Sequence, residues 1–350
     1  VQSRNIEYIQ KLDHLRFVAA VIVLIFHAKV FYHSPSVRWI PILDQGYVGV
    51  SLFMVLSGFI LTLITLGKDI SVFGFYTNRV LRIYPLFVFV VTAGYFSTPE
   101  PRETAVSLDF MMSLLPFSNL ARLKYGPFGG QLWSVMVEMQ FYLLFPLLAF
   151  MLKVRGVTFY SVTILLMMIV RLSVFFLNGS VQEMAYFSIF GNVDIFLMGC
   201  MAGLVYQRIG NGVMRHYIWI SAFIGMNIVL AGLNHFGFSN SSMFWVLWPD
   251  VQGLMWATLI ITYLRSGRIA LSGVWTYFGK ISYSLYAWHI LVWMVVVRFL
   301  PTPVISPYVT GALIVLPLTV MVSALSFYVI ETPFLLLRSR YILAKSISSV

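Results

Sequence analysis

Charge is what this 350-residue chain has least of: Asp, Glu, Lys and Arg make up 10% of it, against 60% hydrophobic residues. Soluble proteins average about 25% charged residues. The length would allow two or three soluble domains, but so few polar groups cannot coat them. Cysteine is almost absent, and the single Cys200 excludes a disulfide framework or a cysteine-built zinc site. No two histidines stand at i, i+4 beside a glutamate, so no metal is expected. Aromatic residues, at 17%, are far too many for a disordered chain. These exclusions leave an integral membrane protein.

The net charge of +11 raises nucleic acid as a partner, but its distribution excludes one. The cations come in twos and threes between apolar runs, as in a polytopic membrane protein. The first 14 residues are polar and the apolar run after them is long enough to remain as a span, so no cleavable signal is expected.

A span needs about 20 mostly apolar residues. Ten are expected, at 15–32, 46–67, 83–98, 131–152, 157–177, 186–206, 217–235, 243–264, 281–300 and 309–330. Sixteen lysines and arginines fall on one side: Arg4, Lys11, Arg16, Lys68, Arg79, Arg82, Lys153, Arg155, Arg208, Arg215, Arg265, Arg268, Lys280, Arg338, Arg340 and Lys345. Seven fall on the other: Lys29, Arg38, Arg102, Arg122, Lys124, Arg171 and Arg298. The positive-inside bias makes both termini cytoplasmic, in keeping with an even number of spans. The longest connection, 98–130, lies outside and holds Glu100, Glu103, Asp109 and an apolar stretch, 110–117, suited to a re-entrant or interfacial piece. The chain reads as one all-α transmembrane domain over 1–350, with no internal repeat.

Ionisable groups at membrane depth are costly, so each is a functional hypothesis. His27 follows Arg16 by eleven residues, about 16 Å along a helix. A snorkelling arginine and an interhelical histidine account for that pair equally well. Glu138 lies seven residues below Gln131, about 10 Å beneath the outer edge, and His27 comes out at about 14 Å. Similar depth suggests a functional His27–Glu138 pair, with Ser134 one turn above Glu138; a purely structural hydrogen bond is the alternative. Arg79 and Arg82, at i and i+3, share a helix face suited to phosphate oxygens, although the positive-inside signal accounts for them as well. Lys280 and Glu331 lie at the same level; Glu331 either marks a helix end or orients one of the arginines. His289, about 12 Å from the inner edge, reads as a helix-contact histidine. Asp194 and Asp250 read as packing or pore-lining acids, and Gly46, Gly49, Ser57 and Gly58 as permitting close helix approach.

A basic inner mouth, a polar track and a His–Glu pair suit a phosphorylated carrier with a long flexible arm, as in coenzyme A. The arginines anchor its phosphates while His27 acts as general base on an acceptor hydroxyl or takes the acyl group itself. Glu138 then sets the tautomer of His27.

Several stretches resemble the acyltransferase-3 family of membrane O-acyltransferases. They are Leu12-Asp13-His14-Leu15-Arg16 with His27, Gly49-Val-Ser-Leu-Phe-Met-Val-Leu-Ser-Gly-Phe59, and Arg79-Val-Leu-Arg82-Ile-Tyr-Pro85. Trp133-Ser134 with Glu138 and Phe141-Tyr142, Gly279-Lys-Ile-Ser-Tyr-Ser-Leu-Tyr-Ala-Trp-His289 and Tyr328-Val-Ile-Glu-Thr-Pro333 complete the set, in order along the chain. The resemblance implies ten spans in a bacterial inner membrane. It also implies transfer of an acyl group, commonly acetyl, from cytoplasmic acetyl-CoA to an extracytoplasmic carbohydrate, free or lipid-linked, such as O-antigen or another surface polysaccharide. It makes His27 the catalytic centre with Glu138 its partner. Arg16, Arg79 and Arg82 become donor-binding residues, with Lys280 beside them, and Trp133, Ser134 and Tyr142 substrate-binding residues. The family often has Gly in place of His14 and an acidic residue in place of Ser51. Some members carry a C-terminal hydrolase-like domain; none follows here within the 17 residues after Pro333, so direct delivery or hand-over to a separate protein is expected. The rival reading is a proton-coupled secondary transporter using the same His and Glu, against which stand the missing repeats.

Overall fold

The computed structural model describes residues 8–34, 40–96, 108–119, 129–210, 212–235 and 242–343. Ten long helices carry the fold: α1 (Gln10–Phe31), α2 (Val48–Thr65), α3 (Val72–Phe96), α4 (Trp133–Arg155), α5 (Val157–Asn178), α6 (Ile189–Arg208), α7 (His216–His235), α8 (Trp248–Leu264), α9 (Ser282–Phe299) and α10 (Pro307–Leu336). Among the described residues there is no strand, and nine helices are long and apolar enough to cross a membrane; α8, at 17 residues, is the tenth of the series and is entered through a 3₁₀ turn, Met243–Val246.

Most expected spans coincide with helices. Two differ. The third was expected at 83–98, but α3 begins at Val72. Asn78, Arg79 and Arg82 interrupt its apolar run, yet they turn inward onto protein partners instead of lipid, so the helix carries on beneath them. Arg79 and Arg82 therefore stand two to three turns inside α3 and do not open it. The tenth span was expected to end at 330, but α10 runs through Glu331-Thr332-Pro333 to Leu336. Its two π-type turns, Gly311–Val315 and Phe327–Glu331, absorb the irregularity, and the Thr332 hydroxyl bonds the Phe327 carbonyl at 2.9 Å.

The centre of the bundle is α2, packed most closely on α6. A Cβ added to Gly58 would strike the Phe196 backbone, and one added to Gly199 the Val55 backbone, so only glycine lets these helices approach so closely. Gly46 and Gly49 do the same against α1, around Ala19 and Ile22. Ser57, grouped with them by sequence, instead uses its hydroxyl in the site described below.

One face collects the basic helix ends. The Lys11 ammonium bonds the Ser266 carbonyl at 2.6 Å, joining the start of α1 to the end of α8. Lys153 meets Asp69 at 2.9 Å, and the segment after α10 returns to the start of α3 through Ser71 N–Tyr341 O (2.8 Å) and Leu343 N–Asp69 O (3.0 Å). His14, buried, ties α1 to the Tyr263 hydroxyl at 2.8 Å and to the Ser272 carbonyl at 3.1 Å. Of the sixteen cations assigned to this face, Arg4 and Lys345 lie outside the described residues.

The opposite tally needs one correction. Arg171 is not in a connection but buried in α5, bridging Asp194 of α6 and Asp250 of α8 and bonding the Val246 carbonyl at 2.7 Å. Lys29 is paired with Asp44 at 2.8 Å. Arg38, Arg102, Arg122 and Lys124 lie outside the described residues, as do Glu100 and Glu103. Within the long connection, Leu108–Ser113 forms a six-residue helix, too short to span.

Candidate active site

Between α1, α2, α3, α4 and α9 lies a cavity that opens to the surface. Three guanidinium groups, Arg16, Arg79 and Arg82, line it together with Ser57, Ser134, Glu138, Tyr142, Tyr283 and Tyr286. Phe53, Met54 and Ile83 supply apolar wall. Charge at one end and an apolar and hydroxyl-lined interior suit a ligand that is anionic at one end and uncharged at the other.

The three arginines differ in how they are held. Arg16 pairs with buried Asp13 at 2.8 Å, one turn back on α1, and Asp13 also accepts the Tyr8 hydroxyl. Arg82 faces Glu331 of α10 at 3.6 Å, and Glu331 accepts the Ser284 hydroxyl. Glu331 thus orients an arginine and does not end a helix. Arg79 has no carboxylate within ion-pair distance among the described residues. Its guanidinium sits 5.3 Å from the Tyr142 ring centroid and 5.5 Å from that of Phe75, with Nε buried and unbonded. Stacking on aromatic faces holds a guanidinium in place while leaving its donors for phosphate oxygens.

Sequence reasoning missed a fourth arginine here. After α10 the chain folds back under the mouth, where Ser339 exchanges hydrogen bonds with Asn78 at 2.6 and 3.1 Å and Tyr341 meets the Arg79 side chain. Arg338, carried on this strap, is pushed down to about 10 by burial and then by the positive charges of Arg82, Arg79 and Arg16. Lys280, expected beside the arginines, does not line the cavity; its ammonium lies 5.9 Å from the Tyr8 ring.

Glu138 and His27 are not joined by a hydrogen bond or ion pair among the described residues. Glu138 accepts the Ser57 hydroxyl at 2.5 Å and the Tyr142 hydroxyl, which places it with the arginine group. The Nδ1 of His27 bonds the Val23 carbonyl of its own helix at 2.8 Å, so its tautomer is set by backbone. The similar depth expected of the two does not bring their side chains into contact.

What does stand beside His27 is His289, ring centroids 4.9 Å apart. It lies on α9 with Tyr283 and Tyr286, spaced three residues apart and so on one broad helix face. Tyr286 separates the cavity from the two imidazoles. Its hydroxyl is shared with Ser134 (2.6 Å) and the Gln131 carbonyl (2.9 Å), and its ring lies 5.5 Å from that of His289. Ser134 and Tyr142 line the cavity as expected; Trp133 instead packs on Tyr186 and Phe187 at 4.7 and 5.0 Å. Ser51, where the family often has an acid, is buried and bonded to the Gln252 side chain.

Fold and cavity define a multi-pass helical membrane protein with a basic internal site. The chain matches the acyltransferase domain family over residues 9–329 and belongs to it. It is similar to O-acetyltransferase OatA of Staphylococcus aureus (strain NCTC 8325), 25% identical over 93% of this chain and 57% of that protein. It is also similar to the protein SACOL0978 of Staphylococcus aureus (strain COL), 24% identical over 95% of this chain and 58% of that protein. The chain thus spans less than two thirds of the length of these relatives. No solved structure matches significantly.

Proposed function

We propose that this protein is a membrane O-acetyltransferase that takes an acetyl group from acetyl-CoA at its basic face and delivers it to a hydroxyl of a carbohydrate at the opposite face. The reading supported best puts the basic face in the cytoplasm, with both termini there, in a bacterial inner membrane; the positive-inside bias favours that orientation. The observation that carries the proposal is the cavity itself. Arg79, with no carboxylate partner among the described residues, lines it with Arg16 and Arg82, and Arg338 adds its charge to theirs from the segment after α10, a setting for a diphosphate and a phosphomonoester. In this reading the wall of Phe53, Met54, Ser134 and Tyr286 takes the pantetheine arm and thioester, with Tyr286 standing next to His289.

The reaction is acyl transfer from sulfur to oxygen. A carbohydrate hydroxyl is a weak acid and needs a base within hydrogen-bonding reach. In this reading His27 is the reacting imidazole, with Nε2 presenting its lone pair because Nδ1 is engaged by the Val23 carbonyl. Glu138 keeps the role of an essential partner in a different form: through Ser57 and Tyr142 it fixes the wall against which Arg79 stacks. The acceptor is assigned to surface glycans as a class, O-antigen and other surface polysaccharides among them.

The test uses proteoliposomes holding the purified protein, radiolabelled acetyl-CoA at the basic face and a bacterial surface glycan at the other. Label in the glycan, dependent on protein, is the expected result. Donor binding without any label in glycan or loss of thioester would overturn the proposal.

A further inference from the structure

His27 on α1 and His289 on α9 face one another beyond Tyr286, their ring planes inclined at 64°. Both are held the same way. The Nδ1 of His27 bonds the Val23 carbonyl at 2.8 Å, and the Nδ1 of His289 bonds the Tyr286 carbonyl at 2.6 Å. A carbonyl oxygen only accepts, so both Nδ1 atoms carry the proton and both Nε2 atoms present a lone pair. His289 is 1% exposed, and its Nε2 has no hydrogen-bond partner. A histidine serving only as a helix contact would have both nitrogens bonded, because a buried acceptor without a donor is costly. Two lone pairs cannot bond each other; the group that fits beside them brings a proton of its own, as a hydroxyl does.

Resting on the O-acetyltransferase reading, we propose that His27 carries the acyl group and His289 is the base that activates the acceptor hydroxyl. One imidazole cannot do both, since an acylated Nε2 has no lone pair left. In the first step His27 Nε2 attacks the thioester carbonyl, the N–C bond forms, the C–S bond breaks, and coenzyme A leaves as the thiolate. The ring is then an acylimidazolium whose Nδ1–H stays bonded to the Val23 carbonyl. In the second step the acceptor oxygen attacks the acyl carbon and its proton passes to His289 Nε2. The N–C bond breaks and His27 returns neutral. His289 releases its proton to solvent and the thiolate takes one up, so thioester and alcohol become ester and thiol. Tyr286, whose backbone carbonyl holds His289 and whose hydroxyl is committed to Ser134, positions the base.

The experiment follows thiol release and protein-bound label with radiolabelled acetyl-CoA and the purified protein in proteoliposomes. Water and hydroxylamine serve in turn as acceptors. His289→Gln keeps an amide that donates to the Tyr286 carbonyl but cannot take up a proton, and His27→Gln is the control. Wild type is expected to release about one thiol per chain in a burst, with peptide mapping placing the label on His27. His289→Gln should keep burst and label while its steady rate with water falls about a hundredfold, within the range for loss of a general base. Hydroxylamine, which needs no base, should bring the two to the same rate, and His27→Gln should show no burst. A His289→Gln chain with the wild-type steady rate, or one that binds donor yet shows no burst, overturns the proposal. So does wild type that turns over without label on His27, a result needing no substitution. A wild type that neither binds nor cleaves acetyl-CoA instead removes the O-acetyltransferase reading beneath it.

Discussion

The guanidinium of Arg79 lies 5.3 Å from the ring of Tyr142, and the hydroxyl of Tyr142 is donated to Glu138. The aromatic face and the hydroxyl thus have separate jobs, and Tyr142→Phe separates them. The ring that supports Arg79 stays, while Glu138 keeps only the Ser57 hydroxyl. The acetyl-CoA dissociation constant should remain within about twofold and thiol release should fall about tenfold, as for loss of roughly 1.4 kcal/mol in the transition state. Calorimetry and a thiol assay on one preparation check both.

Arg171 is buried with two carboxylates, Asp194 and Asp250, and each shares the one guanidinium. Arg171→Met leaves both acids uncompensated and should cost about 3–5 kcal/mol. Adding Asp194→Leu and Asp250→Leu should recover most of that loss. Unfolding in mixed micelles, read by tryptophan fluorescence, measures it; a single variant as stable as wild type would contradict the assignment.

The α2–α6 contact predicts a steric effect with no polar component. Gly58→Val and Gly199→Val each place methyl groups where the opposing backbone runs, so helix separation must grow. Each should destabilise by about 1–3 kcal/mol, the usual cost of overpacking, while Gly225→Val, in open space on α7, should lose far less. Midpoints of thermal unfolding rank the three.

Arg338 carries a pH argument. Its folded value, about 10, lies below that of an exposed arginine, first through burial and then through Arg82, Arg79 and Arg16. The unfolded chain therefore binds the extra proton between the two values, and this group adds stability only as pH rises through and above about 10. At pH 7–8.5 it is charged in both states and its repulsion is constant. Acetyl-CoA affinity should accordingly be flat over that window and weaken as salt screens the cluster. Arg338→Gln should raise the melting temperature of the ligand-free protein and raise the acetyl-CoA dissociation constant about tenfold. An unchanged dissociation constant would exclude Arg338 from the donor site.

Much of this was legible along the chain, since the hydrophobic runs and the basic helix ends are local properties. Helical spacing singled out Arg79 and Arg82, which both line the cavity, and level singled out Glu331, which faces Arg82. Depth is one coordinate of three, however. Counting at 1.5 Å per residue put His27 and Glu138 at one level without saying that α4 turns Glu138 towards Ser57 of α2. The same counting put His289 too far inward, because it assumes straight, upright helices, whereas α9 brings the ring to 4.9 Å from His27. The early start of α3 escaped notice because its polar residues are satisfied by α4, α10 and the segment after α10, partners that hydropathy does not register. Arg338 looked like one more positive-inside charge until the chain beyond α10 folded back onto Asn78.

The most direct measurement of the central claim is thiol release from acetyl-CoA by purified wild type, His27→Ala and Arg79→Ala, with donor binding measured in parallel. The account predicts that His27→Ala binds the donor with wild-type affinity and releases no thiol, while Arg79→Ala binds it at least tenfold more weakly. A His27→Ala chain that still cleaves acetyl-CoA at the wild-type rate would contradict it.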